Sequence, residues 1–481
     1  MKGRDASEHE RLMERLQERS GTHADEVGQR AQTRHQQLAA KDDSGAEAMW
    51  EVARAAARVS QPRLDGLRLV TITTNCAGSF AAWIQSLLGA LDDAGWRPGR
   101  GPDIEVLRVA NDADPSVDAA HRMVEVKGVK IQVIEIDPAR RPLPLAEARP
   151  FAFRCVRELG WLPSPSMPVW SLDEDFRFQT LVPSPRRMFV RRSGGPLLHR
   201  LDALVASLVA QNVDVIVGGN TGAAPVPSLG LLLGQLTDLA EDTNPGEWPA
   251  APLELLSQRA DAYYDLAESQ RSALHVPLAR AWWREDGVVD TAELVRRLQA
   301  GLPVTRPALA MPLRHPPSAW ASNDHAVVAG GNTVLLSTRA LDARFRHVRQ
   351  GSLISRRADT TWVIDARVHG AKVVRACLPL LHDRQRGAHS PSEAGREALA
   401  DALGVGVYQA MIAGDPTEAR VRALAEMRLA ALRTCLGAAE SIARRACIRG
   451  VALDAFADWI ANARDELVLP RQKPLSFRCC G

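Results

Sequence analysis

Asp173-Glu174-Asp175 closes the apolar run PVWSL. Two carboxylates one residue apart are suited to sharing a hard divalent ion, and in open α/β sheets ligands gather outside the carboxyl ends of strands. Asp-x-Asp also occurs in plain acidic turns, so the pair needs support from elsewhere in the chain. Downstream stand Gly330-Gly331-Asn332-Thr333 before VLLSTRALDARF, then Arg356-Arg357-Ala358-Asp359-Thr360-Thr361-Trp362, then VIDARVHGAKVV, and finally Pro379-Leu380-Leu381-His382-Asp383-Arg384. The guanidinium forks of Arg356 and Arg357 are well shaped for phosphate oxygens, and a solvated basic turn would look the same. Asp359 stands where a helix N-cap would stand, and His382-Asp383-Arg384 also reads as an ordinary ion-paired turn.

In this order and approximate spacing the chain resembles the nucleotide-sugar glycosyltransferases of GT-A fold. The correspondence runs from about Leu67 to Arg384. The resemblance implies an α/β catalytic unit in which Asp173 and Asp175 hold Mn or Mg, with His382 as third ligand and Asp173 also facing the donor. It implies that Thr73, Thr74, Asn75, Asn111 and Asp112 hold base and ribose, with Arg154 a weaker contact. Gly330, Gly331, Asn332 and Trp362 would line the acceptor side. Asp359 would be the general base that takes the acceptor hydroxyl proton. Where many inverting members carry Glu-Asp, this chain has Ala358-Asp359; inversion is favoured only slightly over retention.

These residues need a scaffold. LRLVTITTN, IEVLRVAND and VKIQVIEID are apolar strands ending in Asn or Asp, and FAAWIQSLLGALDDAGW and LAEARPFAFRCVRELGWL are helical. Near-continuous apolar strands alternating with helices imply a mostly parallel, doubly covered sheet. Residues 1–64 read as a helical extension, with capping boxes at Ser7/Glu10 and Ser44/Glu47. Residues 65–390 read as the catalytic domain, interrupted by an insertion at about 180–315 that holds VDVIVGGN, TGAAPVPSLG and helical segments around Tyr263-Tyr264 and Trp282-Trp283. Helical core packing suits those aromatics better than sugar stacking. VGGNTGAAPVPS has neither a P-loop ending nor dinucleotide spacing. Residues 391–481 read as a helical region, its long helices opened by SPSE and DPTE with Ser390 and Asp415 as caps.

The 481 residues carry 60 Lys and Arg against 57 Asp and Glu, a formal charge of +3. That balance points to neither nucleic acid nor membrane as partner. No stretch approaches a membrane span, the charged start lacks a signal-peptide core, and the seven cysteines show no zinc spacing. The expectation is a cytoplasmic, metal-dependent enzyme acting on a nucleotide sugar and a soluble small-molecule acceptor, with homodimerisation through the helical extensions left open. A sugar-1-phosphate nucleotidyltransferase would share the sheet and metal logic, but TTNCAGSF lacks the basic, glycine-rich loop such enzymes use. A non-catalytic scaffold of the same fold is the reading from another class.

Overall fold

The computed structural model describes residues 50–51, 53–55, 62–74, 79–97, 99–111, 128–161, 163–164, 166–183, 189–209, 212–218, 220–223, 227–232, 236, 278–282, 291–302, 305–309, 333–337, 339–375, 378, 380–384, 387–448, 451–470 and 473–480. The strand β1 (Gly66–Thr73) leads through α1 (Ser79–Ala94) to β2 (Asp103–Ala110) and β3 (Lys130–Glu135). Next come α2 (Leu145–Glu158), β4 (Val169–Leu172), β5 (Phe176–Arg177), β6 (Gln179–Pro183), β7 (Phe189–Ser193), α3 (Gly195–Val209), β8 (Val215–Val217) and β9 (Asn220–Gly222). After β10 (Leu278–Trp282), α4 (Thr291–Ala300) and β11 (Thr305–Leu309) the chain forms β12 (Thr333–Leu336), β13 (Phe345–Gln350), β14 (Leu353–Ile354) and α5 (Ala358–Val368). It closes with β15 (Val373–Arg375), β16 (Leu380–His382), α6 (Pro391–Ile412), α7 (Glu418–Arg445), β17 (Cys447–Ile448), β18 (Val451–Ala452), α8 (Asp454–Asp465) and β19 (Ser476–Cys480).

Among the described residues seven strands form the central sheet, in the order β15-β8-β12-β4-β1-β2-β3. The fold is therefore α/β with a mainly parallel sheet, with one departure from the expected pattern: β12 runs antiparallel to both β4 and β8. The period of 2 divides the strand residues between two cores. Leu67, Leu69, Trp170, Leu172, Ile216, Leu335 and Val374 face one side, covered by α1 and α3. Val70, Ile72, Val169, Val215, Val217, Val334 and Val373 face the other, covered by α2 and α5. The stripe Phe80, Trp83, Ile84, Leu87 and Leu91 seats α1 at helical spacing. Each such side chain, once buried, contributes about 1.5–3 kcal/mol.

The expected insertion is narrower than 180–315, because α3 and β8 lie within that span and β8 is a strand of the central sheet. Trp282, expected on a helix, ends strand β10; Tyr263, Tyr264 and Trp283 lie outside the described residues, as do both N-terminal capping boxes. A third core joins α6, α7 and α8 to Leu294 and Leu298 of α4. Ser390 caps α6 in a full capping box with Glu393. In α7 the cap is Thr417 rather than Asp415: its side chain accepts from the Arg420 amide, so Pro416 precedes the helix. The C-terminal region is not wholly helical, since β19 returns to pair with β13. No helix among the described residues is long and apolar enough to cross a membrane.

Candidate active site

Parallel pairing brings the carboxyl ends of β1, β2 and β4 to one rim of the sheet, and Asp173-Glu174-Asp175 follows β4 there. The segment is fixed from below. The Thr74 amide and hydroxyl both donate to Glu174 Oε1 at 3.2 Å, and the Ser79 hydroxyl donates to the Glu174 carbonyl at 2.9 Å. Burial, with the charges of Asp175 and Asp173, pushes the Glu174 carboxyl up to about 8.

Backbone register delivers His382. β16 pairs antiparallel with β5 and parallel with β9, placing His382 opposite Phe176 and Gly222. The ring stacks on Phe176 at 4.9 Å. Its Nδ1 lies 2.6 Å from the Ala223 carbonyl oxygen and its Nε2 2.8 Å from Asp175 Oδ2. A carbonyl only accepts, so Nδ1 carries the proton. In the neutral ring Nε2 is then an acceptor facing another acceptor, an arrangement that a proton or a cation reconciles. This is also the tautomer in which imidazole ligates a metal, with the second nitrogen anchored on backbone. Arg384 Nε stands 3.7 Å from the same Asp175 oxygen.

Asp173 is engaged differently. Arg149 Nη2 donates to both of its oxygens at 2.8 Å, while Arg149 Nη1 lies 3.2 Å from Asp359 Oδ2. The Arg149 side chain is only 9% exposed. Burial works against its charge, but Asp173 and Asp359 outweigh it and hold the guanidinium above the usual arginine value. Burial pushes Asp173 up as well, against the pull of Arg149 and with Asp175 adding to it. Asp359 sits in the first turn of α5, where its Oδ1 accepts from the Thr360 amide at 2.9 Å.

A divalent ion would find oxygen and imidazole donors together at Asp175 and His382, which suits a hard or borderline cation. Asp173 spends both oxygens on Arg149, and among the described residues no three His, Cys, Asp or Glu side chains are already arranged around one point. The fit therefore rests on Asp175 and His382.

Several expected contacts are occupied elsewhere. Asn111, fully buried, clamps Leu143: its Nδ2 donates to the Leu143 carbonyl at 2.8 Å and its Oδ1 accepts from the Leu143 amide at 2.7 Å. It is bound to backbone instead of facing a donor. The Thr73 hydroxyl, also buried, accepts from Arg108 Nε at 3.1 Å. Arg154 lies on the exposed side of α2, over the Phe151 ring at 5.7 Å. Arg356 and Arg357 turn to α6 and pair with Glu397 and Asp401, so they do not point at a diphosphate as expected. Trp362 packs against Phe153 and Phe345 in the core, and its indole N–H donates to the Ala340 carbonyl; it does not line an acceptor surface. Asn75, Asp112, Gly330, Gly331 and Asn332 lie outside the described residues, although Thr333 pairs with Leu172 and so brings β12 in beside the acidic segment.

Arg149 was not anticipated, yet its position carries a signal. Ala146, Arg149, Pro150 and Phe153 form the buried stripe of α2 at helical spacing, and a guanidinium on an apolar stripe demands a buried anion.

No family model matches the chain, and no curated protein matches it. Among solved structures it is similar to a mannosyltransferase from Pyrobaculum calidifontis in complex with GDP-Man and Mn2+, with a TM-score of 0.37 and 11% identity over 89% of this chain and 96% of that one.

Proposed function

We propose that this chain is a metal-dependent glycosyltransferase of GT-A type that moves a sugar from a nucleotide-sugar donor to an acceptor hydroxyl. The observation that carries the reading is convergence: from three separate stretches of sequence, His382 lies 2.8 Å from Asp175, and Asp359 is joined to Asp173 through Arg149 by contacts of 3.2 and 2.8 Å.

Asp175 and His382 would hold Mn or Mg. The ion would act there as a Lewis acid toward the donor diphosphate. The protein's own residues supply the rest. Asp359 takes the proton of the acceptor hydroxyl as its oxygen bonds to the anomeric carbon, while the bond from that carbon to the diphosphate oxygen breaks and the electron pair leaves with the diphosphate. Arg384, with its side chain 8% exposed beside Asp175, and Arg177, whose Nη1 donates to the Glu174 carbonyl, contribute positive charge where the leaving group becomes more negative. Those two replace Arg356 and Arg357 in that role.

The test is release of nucleoside diphosphate from a panel of nucleotide sugars with Mn2+, using the full chain. Asp175→Asn and His382→Ala should each lower metal-dependent turnover by on the order of 10²-fold or more while the protein stays folded by circular dichroism. Full turnover by Asp175→Asn would show the metal assignment to be wrong. Diphosphate release from a nucleoside triphosphate and a sugar phosphate would instead favour the nucleotidyltransferase.

A further inference from the structure

We propose that Arg149 is the positioning residue that ties the donor side of this site to its acceptor side, a role that rests on the transferase reading above. Asp173 follows strand β4 and Asp359 belongs to helix α5, so the two carboxylates stand on separate elements. One guanidinium spans them, with Nη2 at 2.8 Å from both Asp173 oxygens and Nη1 at 3.2 Å from Asp359 Oδ2. Because the guanidinium is planar and its nitrogens are fixed relative to one another, the two carboxylates cannot move apart without one contact breaking. A lysine, with one compact ammonium on a flexible stem, does not reproduce that fixed fork.

α2 is docked by other contacts as well. Ala146, Ala148, Ala152, Phe153 and Val156 of α2 are buried in the core beneath it. Glu147 of the same helix pairs with Arg349 of β13. A guanidinium enclosed on an apolar stripe that serves two carboxylates of the site, on a helix already held by other contacts, is placed to set their separation. Arg149 thereby fixes the base relative to Asp173, two residues before Asp175.

The tie is tested in the full-length protein by two independent measurements. The first uses the donor found in the panel above. Asp173→Ala should raise the donor KM by loosening the segment that carries Asp175, Asp359→Asn should lower kcat, and Arg149→Met should do both, with kcat down on the order of 10²-fold as expected for a misplaced base. Arg149→Lys should recover part of kcat, and the Arg149→Met/Asp359→Asn double variant should lose no more kcat than the worse single variant. Constants within twofold of the parent in Arg149→Met or Arg149→Lys, with only the melting temperature lowered, would overturn the proposal. The second needs no substrate: amide hydrogen exchange at Thr360 and Thr361 should quicken several-fold in Asp173→Ala, because removing the carboxylate that holds Nη2 leaves the guanidinium, and with it the first turn of α5, anchored at one end only. Unchanged exchange there overturns the proposal even if Arg149→Met fails to fold. Absence of turnover by the parent with every donor would sink the transferase reading, and the exchange result would then decide the tie alone.

Discussion

Glu174 and Asn111 show how differently two polar residues at one rim can behave. Glu174 is held up to about 8 by burial and by Asp175 and Asp173, above its usual 4.5. The sign follows from linkage. Below about pH 4.5 both folded and unfolded states carry the proton and nothing is lost. Between about 4.5 and 8 the unfolded chain ionises while the folded one does not, so stability falls as pH rises, and it levels off above about 8. Glu174→Gln cannot ionise and keeps an acceptor for Thr74. Its melting temperature in EDTA should therefore gain on the parent from pH 5 to pH 8, and a difference that does not change with pH would refute this account. Asn111 makes two buried hydrogen bonds to Leu143, so Asn111→Ala should cost about 1–3 kcal/mol in urea denaturation and leave the donor KM unchanged. At this scale the proximity of His382 to Asp175 was legible because few residue types suit a shared ligand, which drew both out of the sequence. Asn111, Thr73 and Trp362 were not, because an amide, a hydroxyl or an indole serves a buried backbone group as well as a ligand, and sequence does not show which way it points.

Between elements, the decisive contact is that of α6 with the turn before α5. Arg357 adopts the left-handed conformation, φ 67° and ψ 21°, which is costly for a residue with a Cβ. The turn is held by the buried Arg357–Asp401 pair at 2.7 Å and by the Arg356 amide donating to the Ala400 carbonyl at 2.9 Å. Burial opposes the charge of Asp401, but Arg357 outweighs it and holds the carboxyl below its ordinary value. Gly404 lets the two chains approach: a Cβ there would stand 2.2 Å from the Arg356 carbonyl oxygen. Gly404→Ala should cost about 1–3 kcal/mol by overpacking and displace Asp359, so that kcat falls together with the melting temperature. Unaltered kcat in this variant would mean that α6 does not set the base. The helices themselves were readable from apolar spacing and capping residues such as Ser390 with Glu393. The antiparallel course of β12 was not, since an apolar strand of four residues has the same pattern in either direction.

Among the described residues of the molecule three cores meet, two on the faces of the sheet and one among α6, α7 and α8. They are not separable pieces. The C-terminal β19 runs back along β13 from Phe345↔Cys480 to Arg349↔Ser476, and β13 packs on the helix that carries Asp359 through the bonds of Thr361 to Arg346. Removing 474–481 should strip one edge of β13, lower the melting temperature and promote association on size-exclusion chromatography. A monomer with parental stability would show β19 to be dispensable. That long helices follow the strands of the sheet was legible from where the alternating pattern stops. That the last strand returns to the α/β unit was not, because long-range pairing leaves no local periodicity.

The pairing of β16 with β5 has a further consequence. Asp175 and His382 are 207 residues apart in sequence, yet they are joined locally: the Asp383 amide donates to the Asp175 carbonyl at 2.8 Å, and His382 stands opposite Phe176, the residue after Asp175. Their separation is thus set by strand register and does not depend on the length of the intervening chain. Closing a longer connection costs only logarithmically more entropy. Segments added to or removed from the loops between β5 and β16 would reshape what surrounds the pair and leave the pair itself unchanged, whereas slippage of that short ladder by a single residue would turn the imidazole to the opposite face.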